Sequence, residues 1–191
     1  VATLDVYAEH TTYADDIPLR ARAADIEAKR SEATVGYESA DYVWEWRAVA
    51  TRYDFTDTNR RTEMFATVGY AWELLPEREQ RLFIEWYQSR NTFDSAVYFN
   101  PERDRSIGLA HRTDFIFDTR FKRHVDSLTF GVSAYSQAGF GTEAPWSVSY
   151  RQEYDFDDTH TAEFGIGFAR NYYDDQHEDE LRLEALYRRS F

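Results

Sequence analysis

Along 146–156 (WSVSYRQEYDF) apolar and polar side chains alternate: Trp146, Val148, Tyr150, Tyr154 and Phe156 share one parity, and Ser147, Ser149, Arg151, Glu153 and Asp155 share the other. Successive side chains of a strand point to opposite faces, so this segment separates an oily side from a charged, wet one. Period-two patterning recurs in ten segments, approximately 2–13, 32–38, 42–54, 61–74, 80–92, 105–117, 124–136, 146–156, 161–173 and 180–191. Most reach the roughly 9 to 11 residues with which a tilted strand crosses a bilayer. The second is the least regular, because 21–30 (ARAADIEAKR) has helix-friendly composition and reads as a short helix, a long loop or an extension of the strand. The pattern predicts an all-β chain: a transmembrane antiparallel β-barrel of about ten strands, closed on itself or forming the C-terminal part of a larger barrel, with 1–191 in that one domain.

Connection lengths supply a second constraint. Outer-membrane barrels keep short turns on the periplasmic side and longer loops outside. With Phe191 ending a closing strand at the periplasmic side, the connections 39–41, 75–79, 118–123 and 157–160 fall inside and are short. Those at 14–31, 55–60, 93–104, 137–145 and 174–179 face outward and are generally longer.

The parity then sorts side chains onto two faces. Lipid should meet residues such as Leu4, Val6, Trp44, Trp46, Val68, Trp72, Ile84, Trp86, Leu109, Phe130, Val148, Phe164, Ile166, Leu181 and Leu183, with Trp and Tyr near strand ends as interface anchors. His111 and Thr113 fall mid-strand on this face and fit it poorly. Arg52, Arg90 and Arg170 fall outward near strand ends, where a charge costs little against about 2 to 4 kcal/mol at the midplane. The inward face is expected to carry Asp5, Glu9, Glu38, Glu45, Glu73, Glu85, Asp114, Asp126, Glu153, Asp155, Glu163 and Glu184, with fewer guanidiniums, among them Arg47, Arg81, Arg112, Arg151, Arg182 and Arg188. A negative lumen behind a low-dielectric wall would concentrate cations. Tyr7, Tyr53 and Tyr87 point the same way and could stack on the rings of a ligand or simply fill the wall. For any single inward pair, cross-strand bracing between Arg and carboxylate is the plainer reading.

Composition narrows the classes. The 191 residues include 17% aromatics, which need an apolar surface to face, while no run of about 18 apolar residues offers a transmembrane helix. A basic region followed by an apolar core is not found at the start, so a signal peptide is expected to be absent or already removed. A formal charge of −13, from 35 acidic and 22 basic residues, argues against a nucleic-acid partner. Zero cysteines exclude disulfides, thiolate ligands and a Cys nucleophile. Neither a phosphate-cradling loop nor metal-ligand spacing appears, so no cofactor or metal is expected. Asp174, Asp175, Glu178 and Asp179 flank His177 and could hold a divalent cation, though such a cluster is more often a solvated loop. Barrels of ten strands include outer-membrane hydrolases, but His10, His111, His124, His160 and His177 are scattered and none meets an obvious inward Ser or Asp. A non-enzymatic role is expected; a small barrel hydrolase, a non-conducting structural barrel and a soluble acidic barrel are the alternatives.

The stretch 137–191 resembles the closing strands of the poly-N-acetylglucosamine export porins of biofilm-forming Gram-negative bacteria. Its order is a Gly-rich loop, a strand carrying SVSYRQEYDF, a short turn, a strand ending in an RxYxD-like segment (Arg170, Tyr172, Asp174) and a closing strand ending in ALYRRSF. VYFNPERDR at 97–105 resembles the segment preceding a strand in that family. The resemblance implies an outer-membrane channel for a partly de-N-acetylated, cationic or neutral exopolysaccharide, contacts with outer-membrane lipid, and a periplasmic domain or other export machinery as partner. It also implies a barrel of about sixteen strands after a helical-repeat domain. About ten strands and no such repeat are visible here, which favours the C-terminal part of a larger barrel.

Overall fold

A computed structural model describes residues 3–11, 21, 23–93, 101–117, 123–157, 159–173 and 175–189. Ten long strands and one short one build a single antiparallel sheet: β1 (Thr3–Thr11), β2 (Ala28–Glu38), β3 (Trp44–Phe55), β4 (Arg60–Leu75), β5 (Arg78–Asn91), β6 (Arg103–Phe117), β7 (Arg123–Gln137), β8 (Thr142–Glu143), β9 (Trp146–Asp155), β10 (His160–Tyr173) and β11 (Gln176–Arg189). Each long strand pairs with its neighbour in chain order, and β8 folds the 138–145 connection back onto β7. All ten expected strands are present; β4, β5, β6, β7 and β10 begin one or two residues earlier than expected because the ladder continues past the apolar core of each segment, and β9 ends one residue earlier.

The start moves by four residues at β2, which begins at Ala28 and not at 32, as it does at β11. Ala21 and Ala23 lie in a helical turn, closed by bonds from the Ala24 and Ile26 amides to the Ala21 carbonyl, both 3.0 Å, and the strand follows. The ambiguous stretch is thus a turn of helix and a strand extension in succession. The last hairpin is tighter than expected, since β11 starts at Gln176 and leaves 174–175 as its connection. Residues 12–20, 94–100 and 118–122, together with Asp158, Asp174 and Phe191, lie outside the described residues.

Burial runs opposite to a water-soluble sheet. Along the alternating strands the apolar parity is open, with Val6 77% and Leu183 72% exposed, while polar residues of the other parity are closed: Ser89 is fully buried and Arg81 and Glu163 are 6% and 8% exposed. The outward apolar residues form a band, as membrane-barrel walls require. No described helix is long and apolar enough to cross a membrane. Among the described residues β1 pairs only with β2 and β11 only with β10, so ten strands make a wall with two open edges.

Two irregularities place side chains. Between Ala71 and Glu73 the β4–β5 register slips, so that Ala71 sits opposite Arg81 and Glu73 opposite Gln80. The extra residue reverses the parity, and Glu73 joins the outward side, bonded by Arg78 at 2.6 and 2.8 Å and by Gln80 at 2.6 Å. The expectation that Glu73 faces inward is therefore corrected. Gly69 permits a long reach: a Cβ there would lie 2.7 Å from both Glu45 Cγ and Phe83 Cε1. Over this gap Glu45 of β3 crosses β4 to meet Arg81 of β5 at 3.1 Å.

The turn joining β9 and β10 is held by Asp157. Its carboxylate accepts bonds from the Thr159 amide (2.8 Å), the Thr159 hydroxyl (2.8 Å) and the His160 amide (2.9 Å). These donors hold its pKa well below the usual carboxylate range, the Thr159 amide first, then the Thr159 hydroxyl and His160. Because the folded value is depressed, the turn's stabilisation is complete above the ordinary carboxylate pKa and is lost only as pH falls through the folded value.

Two predictions follow from these contacts. Replacing Gly69→Val should destabilise the folded chain by about 1 to 3 kcal/mol, read as a lower denaturation midpoint in detergent. Protection of the Thr159 and His160 amides from hydrogen exchange should persist to about pH 3, where an ordinary Asp has protonated, and should disappear in Asp157→Ala.

Candidate functional site: the inner face of the wall

The inward surface is built by one parity of every strand, and its charges are arranged in bridges, some within a strand and some between strands. Near the end that carries the longer loops, Arg30 pairs with Glu32, and Arg61 meets Glu63 at 2.6 Å and donates to the Tyr87 hydroxyl at 2.9 Å. Ser89 bonds Asp104, which also accepts from Tyr135 at 3.2 Å. In the middle, Arg81 spans Glu45 and Glu79 (3.1 and 3.5 Å), and Arg112 meets Asp114 at 2.9 Å while lying 5.6 Å over the Phe83 ring. Toward the last strands Glu163 binds Arg151 of β9 at 3.5 Å and Arg188 of β11 at 2.6 Å, and Arg182 sits between Glu180 and Glu184 at 3.0 and 3.9 Å. Guanidiniums taken out of water need such partners.

The carboxylates foreseen from sequence divide accordingly. Glu45, Asp114, Glu163 and Glu184 are engaged by arginine. Glu9 accepts from the Tyr7 and Thr11 hydroxyls at 3.0 and 3.1 Å, and Asp155 from Thr161 at 2.9 Å. Asp5, Glu38, Glu85 and Glu153 share the inward parity and make no ion pair among the described residues. The inward cations without a described ion pair are Arg47 and Arg123.

Asp126 belongs to the other face. It lies opposite Phe115 and Gln152, on the parity of Leu128 and Phe130, and its Oδ1 contacts His124 Nε2 at 2.8 Å and Gln152 Nε2 at 3.1 Å. His124 is stacked 4.2 Å from the Tyr154 ring. Near the strand's start such a cluster can satisfy a carboxylate at the edge of the apolar band, and inward placement of Asp126 is corrected. His111 does face outward, as read, and stacks on Trp72 at 5.1 Å.

The tyrosines differ in what they offer. Tyr53 is 8% exposed and packs with Phe55, Ala28 and Ala21, so little of its ring is open to a ligand. The 21–28 segment lay beyond the reach of a strand-parity reading. The Tyr87 hydroxyl is taken by Arg61. Tyr7 stands on the edge strand with more than half its surface open.

Between these bridges runs a floor of small residues. Ser127, Thr129, Ser147, Ser149, Gly165 and Gly167 line a trough of about 620 Å³, rimmed by Arg112, Arg151, Arg182, Glu180 and Glu184. A second hollow of about 230 Å³, with Glu85, Ser106, Ser133 and Tyr135, continues from it through Ser147 and Asn171. Cβ atoms added at Gly165 and Gly167 would meet only ordinary contacts at 3.6 Å, so these glycines leave open space. The result is a shallow polar track without a closed pocket.

Metal ligation finds no frame here. Among the described residues no three His, Asp or Glu side chains converge, and both oxygens of Asp179 are occupied by Arg170 at 2.7 and 2.9 Å. Asp174, the acid of the RxYxD-like segment, lies outside the described residues.

The chain matches the family described as the PgaA membrane beta barrel domain over residues 4–188. Its fold superposes with a TM-score of 0.91 on a solved protein described as a bacterial polysaccharide outer membrane secretin, at 20% identity, covering 98% of this chain and 65% of that one. No curated protein matches it. An antiparallel wall with an outward apolar band and a polar inner face is the architecture of bacterial outer-membrane barrels, which places the chain in the outer membrane of a Gram-negative bacterium. From the matched residues and the shared architecture, this chain belongs to the PgaA membrane β-barrel domain family.

Proposed function

We propose that this wall lines the channel through which a partly de-N-acetylated poly-N-acetylglucosamine, cationic or neutral along its length, leaves the cell to form biofilm. The observation that carries the reading is the combination, on one face, of a continuous floor of hydroxyls and glycines with the carboxylates Asp5, Glu38, Glu85 and Glu153, which no described arginine neutralises. Hydroxyls can exchange hydrogen bonds with successive sugars, and scattered carboxylates can attract the free amines. Neither grips strongly, and transport needs binding weak enough to release at each step. The solved protein of similar fold is described as a polysaccharide secretin, which supports a polymer as cargo. The two open edges fit a larger barrel whose remaining strands complete the wall. A periplasmic domain or export machinery would deliver the polymer.

A hydrolase reading has little to work with. His10, His111, His124, His160 and His177 all carry outward parity, and their described partners include Ser31, Trp72, Asp126, Asp157 and Tyr172.

In planar bilayers the natural protein containing this wall should prefer cations. Neutralising Glu85→Gln and Glu153→Gln together should move the cation-to-anion permeability ratio toward unity and weaken block by glucosamine oligomers. The Asp126→Asn substitution, on the lipid side, should change neither. Unaltered selectivity in the double variant would contradict the proposal.

A further inference from the structure

A chain of charge −13 places unneutralised arginines on its lipid side. On β5 the outward series runs Trp86, Gln88, Arg90; on β6 it runs Arg103, Arg105, Ile107, Leu109. Arg90 and Arg103 are direct cross-strand partners, and Arg105 follows on the same face opposite Gln88 and Ser136. All three are exposed, and none forms an ion pair or side-chain hydrogen bond among the described residues. The acids beside Arg103 in sequence give no relief: Asp104 points inward to Ser89 and Tyr135, and Glu102 makes no described ion pair.

Like charges directly opposite on an antiparallel pair repel. Other outward arginines of this wall avoid that cost through carboxylates: Arg52 and Arg60 share Asp54 at 2.9 Å, Arg170 holds Asp179, and Arg78 holds Glu73. The trio also stands just beyond the apolar band, at the end carrying the longer loops, where lipid headgroups begin. Guanidinium forks match phosphate oxygens in pairs, and a phosphate bridging β5 and β6 would turn the repulsion into attraction.

We propose that Arg90, Arg103 and Arg105 form a site for the phosphate of an anionic membrane lipid, whose acyl chains lie along Trp86, Ile107 and Leu109. The site rests on the outward band and on no property of the exported polymer. It ties the wall's long-loop end to one leaflet and fixes its height in the membrane.

The test uses the natural protein containing this wall, purified in neutral detergent and titrated separately with short-chain phosphatidic acid, the matching diacylglycerol and inorganic phosphate, with binding read by native mass spectrometry and melting temperature. Phosphatidic acid should bind and raise the melting temperature, while diacylglycerol should do neither and inorganic phosphate should bind at least about tenfold more weakly. The R90Q/R103Q double variant should lose phosphatidic acid affinity by about tenfold or more. Without lipid it should melt no lower than the parent, because a repulsive pair has been removed; a lower melting temperature there would show that the arginines have partners within the protein and would overturn the proposal. Equal lipid affinity in the variant, or inorganic phosphate binding as tightly as the lipid, would overturn it too. An arginine-dependent dimer in place of lipid binding would assign the patch to a second copy and reject the lipid.

Discussion

Hydrocarbon offers no hydrogen bond to a peptide group, and the architecture of this chain follows from that constraint. Each long strand from β2 to β10 is bonded on both sides in the antiparallel ladder, so the backbone that crosses the apolar band carries its own partners. Once the backbone is satisfied in this way, side-chain parity is the remaining freedom. One parity meets lipid with Leu, Val, Ile, Phe and Trp; the other meets water or other polar groups. The reversal of the usual burial pattern, with arginine closed and leucine open, is the direct consequence.

The inner face obeys a second constraint, which limits what its charges can do. Arginines against a low-dielectric wall require carboxylates, and most have one, within a strand as in Arg61–Glu63 and Arg112–Asp114, or across strands as in Arg81 with Glu45 over Gly69 and Glu163 between Arg151 and Arg188. These bridges stiffen the wall and remove much of its field. The potential over the inner face is then set by the few carboxylates without an ion pair among the described residues, against Arg47 and Arg123, which likewise have none there, and not by the full acidic composition. The small-residue floor is equally consequential, since glycine and serine at inward positions of β7, β9 and β10 keep the track open where larger side chains would fill it.

Strand existence was legible because parity survives over many residues in each segment, and all ten long strands lie where alternation places them. What escaped were departures from parity and contacts between distant segments. Glu73 was misassigned because a bulge inserts one residue, and no glycine or proline in 71–73 signals it. Asp126 is grouped with the inward parity in the sequence reading although it shares the parity of Leu128 and Phe130, which face outward; its partners His124 and Gln152 come together only when β7 and β9 pair. Tyr53 shows the limit of a face assignment: its direction was read correctly, but the turn around Ala21 that covers it arrives from a connection whose path parity does not encode. The two-residue β8 is too short to display any period.

Spin labels placed singly along β9, in the natural protein reconstituted in lipid bilayers, test the central assignment most directly. Labels at Val148 and Tyr150 should be accessible to oxygen dissolved in the acyl chains and shielded from a water-soluble nickel chelate, and labels at Ser149 and Glu153 should show the reverse. Water contact at 148 and 150 with a dry environment at 149 and 153 would contradict the account, since the wall would then face the membrane with its charged side.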